Sequence, residues 1–204
     1  MSTPFPAFKK SVKSLTSAMI AAGFATALFA TFPAAAIGAT GSNLSAQGQD
    51  NLVRPDTLIV DSGLSKQQAR EQILAARRYD TFWTTGDQAL ARSALASDFM
   101  DRTLPPGRPQ GVEGPLIASK GFRAAVPDLH CEVEQMMVVG NRVVSHLRFS
   151  GHFTGIFNGV KGKGQSVNFI ATDIYRINNG KIVENWHLED NLTFLQQVGL
   201  VAKH

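Results

Sequence analysis

The chain has 204 residues, room for one ordinary domain with extensions. Its formal charge is +4, but three of those charges are Lys9, Lys10 and Lys13 and no acid precedes Asp50, so the remainder is close to neutral. That argues against a nucleic-acid partner, which would demand several phosphate-neutralising side chains. Cys131 is the only cysteine, which excludes an intrachain disulfide and leaves stability to an apolar core.

In chain order, the three lysines, an uncharged run from Leu15 to Phe32 and the small residues Ala34-Ala35-Ala36 follow the order of a secretory signal peptide. A membrane anchor is the competing reading, but the run is short for a span and Pro33 interrupts it. The expectation is an exported protein, periplasmic or secreted: signal peptide over 1–39, Gly/Ser-rich linker over 40–64 and one domain over 65–204, with no stable membrane span after cleavage. Thr57 to Val60 reads as a short strand or a surface segment. Ser65-Lys66-Gln67-Gln68 is a capping box, and Ala69, Ile73, Ala76, Tyr79 or Asp80, and Trp83 recur behind it at helical spacing. Gly86 stops this helix, and Asp87 caps a shorter one carrying Leu90, Ala91, Ala94 and Leu95. Asp98 to Gln110 reads as a loop fixed by Pro105, Pro106, Gly107 and Pro109. A third helix opens at Pro115 and closes at Pro127.

From Leu129 the period changes to two. Leu129–Val139 and Arg142–Thr154 form a hairpin turned at Gly140-Asn141, and Ser166–Ile177 and Lys181–Leu188 form a second. Between them Gly155 to Gly164 reads as a glycine-rich rim; it lacks the Lys-Ser/Thr ending of a phosphate loop. Asp190 caps a final helix with Leu192, Leu195 and Val198, ended by Gly199. Helices first and strands after argue for an α+β fold with an antiparallel sheet.

The run Phe169-Ile170-Ala171-Thr172-Asp173-Ile174-Tyr175-Arg176-Ile177-Asn178-Asn179-Gly180-Lys181-Ile182-Val183-Glu184-Asn185-Trp186-His187 resembles the signature hairpin of SnoaL-like polyketide cyclases. Glu189-Asp190-Asn191, Leu195 to Gly199, Asp98-Phe99-Met100-Asp101 and Glu113-Gly114 extend the resemblance over residues 66 to 201. It implies a nuclear-transport-factor-two-like cone: a curved antiparallel sheet, helices over its concave face and a pocket between them. It also implies ring closure by intramolecular aldol condensation, with no metal or organic cofactor, by an acidic residue with a His beside it. The family's Asp position holds His187 here and its His position holds Asp173, so the two types are exchanged. A pocket-lining aromatic of the family falls on Trp83.

Aldol chemistry begins by removing a proton next to a carbonyl, and a His is nearest to a base at neutral pH. The expectation is therefore His187 as base, Asp173 as its orienting partner, Asn185 as an oxyanion contact, and Trp83 and Tyr175 as walls for a hydrophobic small molecule. On this view His187→Ala abolishes turnover with little loss of stability. A structural hydrogen bond between Asp173 and His187 is the competing reading. A three-residue Asn178-Asn179-Gly180 loop places Asp173 opposite Asn185 and diagonal to His187 on one face, whereas a two-residue loop slips the pair onto opposite faces. In the preferred register Ile170, Ile174, Trp186 and Leu188 form an apolar outer row, which suggests a homodimer. His146, Arg148 and His152 read as a solvated strand face, with no acidic or thiol partner at useful spacing for a metal. Asp98 and Asp101 read as turn or capping acids, or as a second acid pair at the pocket mouth. A non-catalytic small-molecule binder of the same fold is the alternative function.

Overall fold

A computed structural model describes residues 51–202. The expected signal peptide and the first half of the expected linker lie outside the described residues. The elements are β1 (Thr57–Val60), α1 (Lys66–Thr85), α2 (Gln88–Ala94), β2 (Leu95–Asp101), α3 (Glu113–Ala125), β3 (His130–Val139), β4 (Arg142–Phe153), β5 (Ile156–Phe157), β6 (Val160–Lys161), β7 (Gln165–Asn178), β8 (Lys181–Glu189) and α4 (Asn191–Gln197). Among the described residues no helix is long and apolar enough to cross a membrane.

The capping box forms as read. Ser65 Oγ accepts from the Gln68 amide and Gln68 Oε1 accepts from the Ser65 amide. Gly86 ends α1 in a left-handed conformation, φ 72°, and Asp87 and Asp190 cap α2 and α4. Leu52 is buried, and Arg77 donates to the carbonyls of Leu52 and Val53, so the chain from residue 51 is tied to α1.

Six strands form one curved sheet in the order β1-β3-β4-β7-β8-β2. The four central strands are antiparallel, as expected. Both edges are parallel, β1 with β3 and β2 with β8, so the sheet is mixed. Strand β2 corrects the loop expected from Asp98, and a small β5–β6 hairpin forms within the glycine-rich segment read as a rim over 155–164. That hairpin lies on the end of α3: a side chain on Gly155 would place its Cβ 1.8 Å from the Ala124 carbonyl oxygen.

Inward-facing residues alternate along β7 and along β4 as far as Phe149, and Ala75, Ala76, Tyr79 and Phe82 of α1 pack over them. Each large apolar side chain buried this way contributes about 1.5–3 kcal/mol. Phe149 stacks on Phe169, which meets Phe194 of α4; Phe122 and Phe157 complete this aromatic cluster.

The second hairpin departs from the expected register in an instructive way. Its loop is the two-residue Asn179-Gly180, both with positive φ of 49° and 68°, and Asn178 pairs with Lys181. Alone, this loop would turn Asp173 and His187 to opposite faces. A β-bulge follows, however: Ile177 pairs with Ile182 and Arg176 with Glu184, leaving Val183 as the extra residue. The bulge breaks the alternation, so Ile182, Val183, Glu184 and Asn185 are all buried. Beyond it Asp173 stands directly opposite His187, not opposite Asn185.

Candidate active site

A pocket opens between the concave face of the sheet, α1, α3 and the loop after β2. Trp83, Phe99, Phe122, Leu129, Phe149 and Phe169 form its apolar wall, and Asp101, Arg108, Asp173, Asn185, His187 and Glu189 its polar side. The hollow is slender: the centre of a water molecule reaches about 50 Å³ of it, several times the room one water needs.

Strand β8 supplies Asn185, His187 and Glu189 at period two. Edge strand β2 ends beside them, with Asp101 paired to Asn185, and the Arg102 amide donates to the Asn185 carbonyl. Thr103 adds a staple: its amide donates to Asp101 Oδ1 and its hydroxyl accepts from the His187 amide. Asp101 is thereby held against the imidazole.

His187 is bracketed by two carboxylates. Nδ1 lies 2.7 Å from Glu189 Oε1, and Nε2 lies 3.1 Å from both oxygens of Asp101. Burial disfavours charge on the ring, but the hydrogen bonds to Asp101 and Glu189 outweigh it, and the pKa rises to about 10. At neutral pH the ring is an imidazolium donating through both nitrogens. Burial likewise pushes Asp101 and Glu189 upward, yet the bond to His187 holds each below its ordinary value.

Asp173 is treated differently. Burial raises its pKa to about 7, against the lowering effects of the Asn185 hydrogen bond and the His187 charge. Asn185 Nδ2 donates to Asp173 Oδ1 at 2.6 Å. The other oxygen, Oδ2, has no partner among the described residues and is not sealed, unlike the orphaned Oδ1 of Asn185. One carboxylate oxygen is thus held while the other faces the hollow.

Beneath this layer lies a second buried acid. Tyr175 and Ser145 donate to the two oxygens of Asp80 at 2.7 and 3.0 Å. Burial pushes Asp80 to about 8, the two hydroxyls oppose the rise and the Asp173 charge adds to it.

Of the expected site residues, Trp83, Asn185, Asp173 and His187 line the pocket. Tyr175 does not: it is fully buried behind the wall, edge-on to Tyr79, as the support of Asp80. Asp173 does not orient His187; Asp101 and Glu189 do. Asn185 directs its amide at Asp173 and not into the pocket as an oxyanion donor. Glu189, Tyr79 and Arg108 escape the sequence reading as pocket residues, whereas Asp101 is one of the two acids offered there for the pocket mouth. Asp98 is exposed. On the outer face His146 and Arg148 meet Glu134, and His152 meets Asp128: acids that antiparallel pairing and the β3 approach bring close despite their sequence distance. Among the described residues no group of three or more His, Cys, Asp or Glu side chains is arranged to hold a metal ion. Cys131 is buried, and burial raises its thiol pKa, which suits a structural residue.

The family model of SnoaL-like polyketide cyclases matches residues 73–198. No curated protein matches the chain. Among solved structures, a candidate polyketide cyclase of Bacillus cereus ATCC 10987 is 41% identical over 74% of this chain and 96% of its own, with a TM-score of 0.68. IdmH, a candidate polyketide cyclase of Streptomyces antibioticus, is 26% identical over 63% of this chain and 98% of its own, at 0.57. TsrD of Streptomyces laurentii, 22% identical over 68% of this chain and 99% of its own at 0.58, shares the fold. With its family model covering more than half the sequence and its mixed sheet wrapped around an acid-lined hollow, the chain belongs to the SnoaL-like polyketide cyclase family.

Proposed function

We propose that this chain performs cofactor-free proton transfer next to a carbonyl of a hydrophobic compound, leading to aldol-type ring closure or a related isomerisation. The observation that carries the reading is Asp173: one oxygen held by Asn185, the other open to the hollow, directly across the hairpin from a cationic His187.

Asp173, near 7, is matched to proton abstraction at neutral pH. Its open oxygen takes a proton from the carbon next to the carbonyl. The electron pair of that C–H bond moves onto the carbonyl oxygen, and the enolate charge develops beside the imidazolium. For ring closure the enolate carbon attacks a second carbonyl of the same molecule, and protonated Asp173 returns its proton to the new alkoxide. The roles are therefore reversed from the sequence expectation, with the carboxylate as base and the imidazole as fixed positive charge. That reversal suits the exchange of residue types: the two positions face each other across one rung, so swapping them keeps both groups on the hollow.

The test follows deuterium incorporation next to the ketone of benzoylpropionate and of its methyl ester by NMR in heavy water. Enzyme-dependent exchange of at least one of them, lost in Asp173→Asn, is expected; exchange of neither faster than in buffer, or exchange undiminished in the variant, would contradict the reading. Export and dimerisation belong to the same proposal. The Lys9 to Ala36 pattern supports export, tested by cell fractionation. Ile170, Ile174 and Leu188, exposed on the outer face, support a homodimer, tested by light scattering; Trp186 is half-buried beneath Arg142.

A further inference from the structure

Arg108 is the one pocket cation that no protein group holds among the described residues. It lines the hollow with Asp101, Asp173 and His187, yet makes no side-chain hydrogen bond or salt bridge with any described residue. The other arginines near the site are engaged: Arg102 and Arg176 on Glu184, and Arg123 on backbone carbonyls. An arginine that lines a slender, largely apolar pocket with five unmatched N–H donors is an incomplete hydrogen-bonding group.

Its position is fixed by the backbone around it. Gln110 clamps the base of the loop, its Oε1 accepting from the Asp101 amide at 2.7 Å and its Nε2 donating to the Asp101 carbonyl at 2.9 Å. A turn closes from the Arg108 amide to the Pro105 carbonyl. Gly114 lets the loop lie flat on the first turn of α3: a Cβ there would stand 2.5 Å from the Pro109 carbonyl oxygen and 3.5 Å from the Arg108 stem. The same clamp that positions Asp101 therefore positions Arg108. Asp101 and Glu189 feel its charge without contact, and both are already committed to His187.

Resting on the proton-transfer reading of this pocket, we infer that Arg108 receives a carboxylate of the substrate, so that the compound turned over is a keto acid and not a neutral ketone or ester. A guanidinium fork matches the two oxygens of a carboxylate in one plane, and such charge-assisted pairs are stronger than neutral hydrogen bonds. The carboxylate at Arg108 would fix the ketone against the Asp173–His187 rung.

The experiment compares benzoylpropionate with its methyl ester. Affinities come from calorimetry, and deuterium exchange next to the ketone is followed in the same samples, for the wild type and Arg108→Gln. The wild type should bind the acid about tenfold or more tightly than the ester, and Arg108→Gln should erase that preference. Arg108→Lys should restore only part of it, because an ammonium cannot pair in bidentate fashion. Equal affinities in the wild type, a preference that survives Arg108→Gln, or no binding of either probe at millimolar concentration would overturn the inference. If exchange is catalysed but the preference does not track Arg108, only the carboxylate assignment falls. If the preference tracks Arg108 but no exchange occurs, the carboxylate site stands and the proton-transfer reading falls.

Discussion

Glu184 and Asp173 belong to the same β7–β8 hairpin and face opposite ways. Their exposures are nearly equal, 7% and 6%, yet their carboxyl groups are driven apart. On the outer face the hydrogen bonds from Arg176 and then Arg102 hold Glu184 down to about 2. On the inner face burial lifts Asp173 to about 7, with a single amide on one oxygen. The covers differ in kind: two guanidinium groups at the surface, a low-dielectric interior beneath the pocket. The cation nearest Asp173 is already shared between Asp101 and Glu189. A carboxylate becomes a usable base at neutral pH where it is covered but left without a cation of its own.

The largest break of this contrast is Asp173→Asn. Deuterium exchange should fall by about 10²–10⁴-fold, the usual contribution of a positioned base. Stability should move the other way. Because the folded pKa of Asp173 lies above its unfolded value, the acid favours folding while protonated and opposes it increasingly as pH rises to about 7. The variant should therefore melt above the wild type at pH 8, by roughly 2–4 °C for each kcal/mol relieved, and alike below pH 4.

His187→Gln comes next. It leaves the buried Asp101 and the half-buried Glu189 without their cation; loss of a partner from a buried pair costs about 3–5 kcal/mol, and solvent at Glu189 keeps the loss toward the lower end. Thermal denaturation at pH 7 should show this drop, in contrast to the small stability loss expected from the sequence alone. The wild type should itself lose stability as pH rises toward about 10: the contribution of a raised imidazole is complete below its ordinary value and disappears through the folded one.

A smaller effect is the pH profile of catalysis. Exchange should rise as pH passes about 7 and decline as it nears about 10, following Asp173 and then His187. The smallest belongs to the outer face. Arg102 is partly exposed, so Arg102→Ala should change stability by no more than about 1 kcal/mol and leave the exchange rate within about twofold, measured by chemical denaturation and NMR. A large loss of exchange there would show that the two faces are not independent.

Much of this architecture can be read from residue order. The Ser65 box, Gly86, Asp87 and Asp190 mark helix ends by local hydrogen bonding, and the period-two runs after Leu129 mark strands. The central strands and the facing of Asp173 toward the hollow follow from those signals. The hairpin register does not, because it results from two one-residue shifts in the same direction, a tight turn at Asn179-Gly180 and a bulge at Val183, which together carry Asp173 from Asn185 to His187 and so return the pair to one face. Strand β2 is hidden for another reason: its parallel pairing with β8 joins residues more than eighty positions apart, and Ser97 and Asp98 interrupt its apolar pattern. Asp101 and Arg108 reach the pocket through that edge and the loop behind it, and no spacing in the sequence announces Arg108; Glu189 follows His187 at period two on β8, one residue past the strand end expected at Leu188. For Tyr175, alternation fixes the face, whereas Asp80 on α1 fixes the depth.

The most direct test of the account is the titration of Asp173 itself. With carboxyl-labelled aspartate, carbon NMR of the intact protein should show a resonance with its midpoint near 7 that is missing from Asp173→Asn. A midpoint for that resonance in the ordinary range of about 4 would contradict the assignment of Asp173 as the poised base.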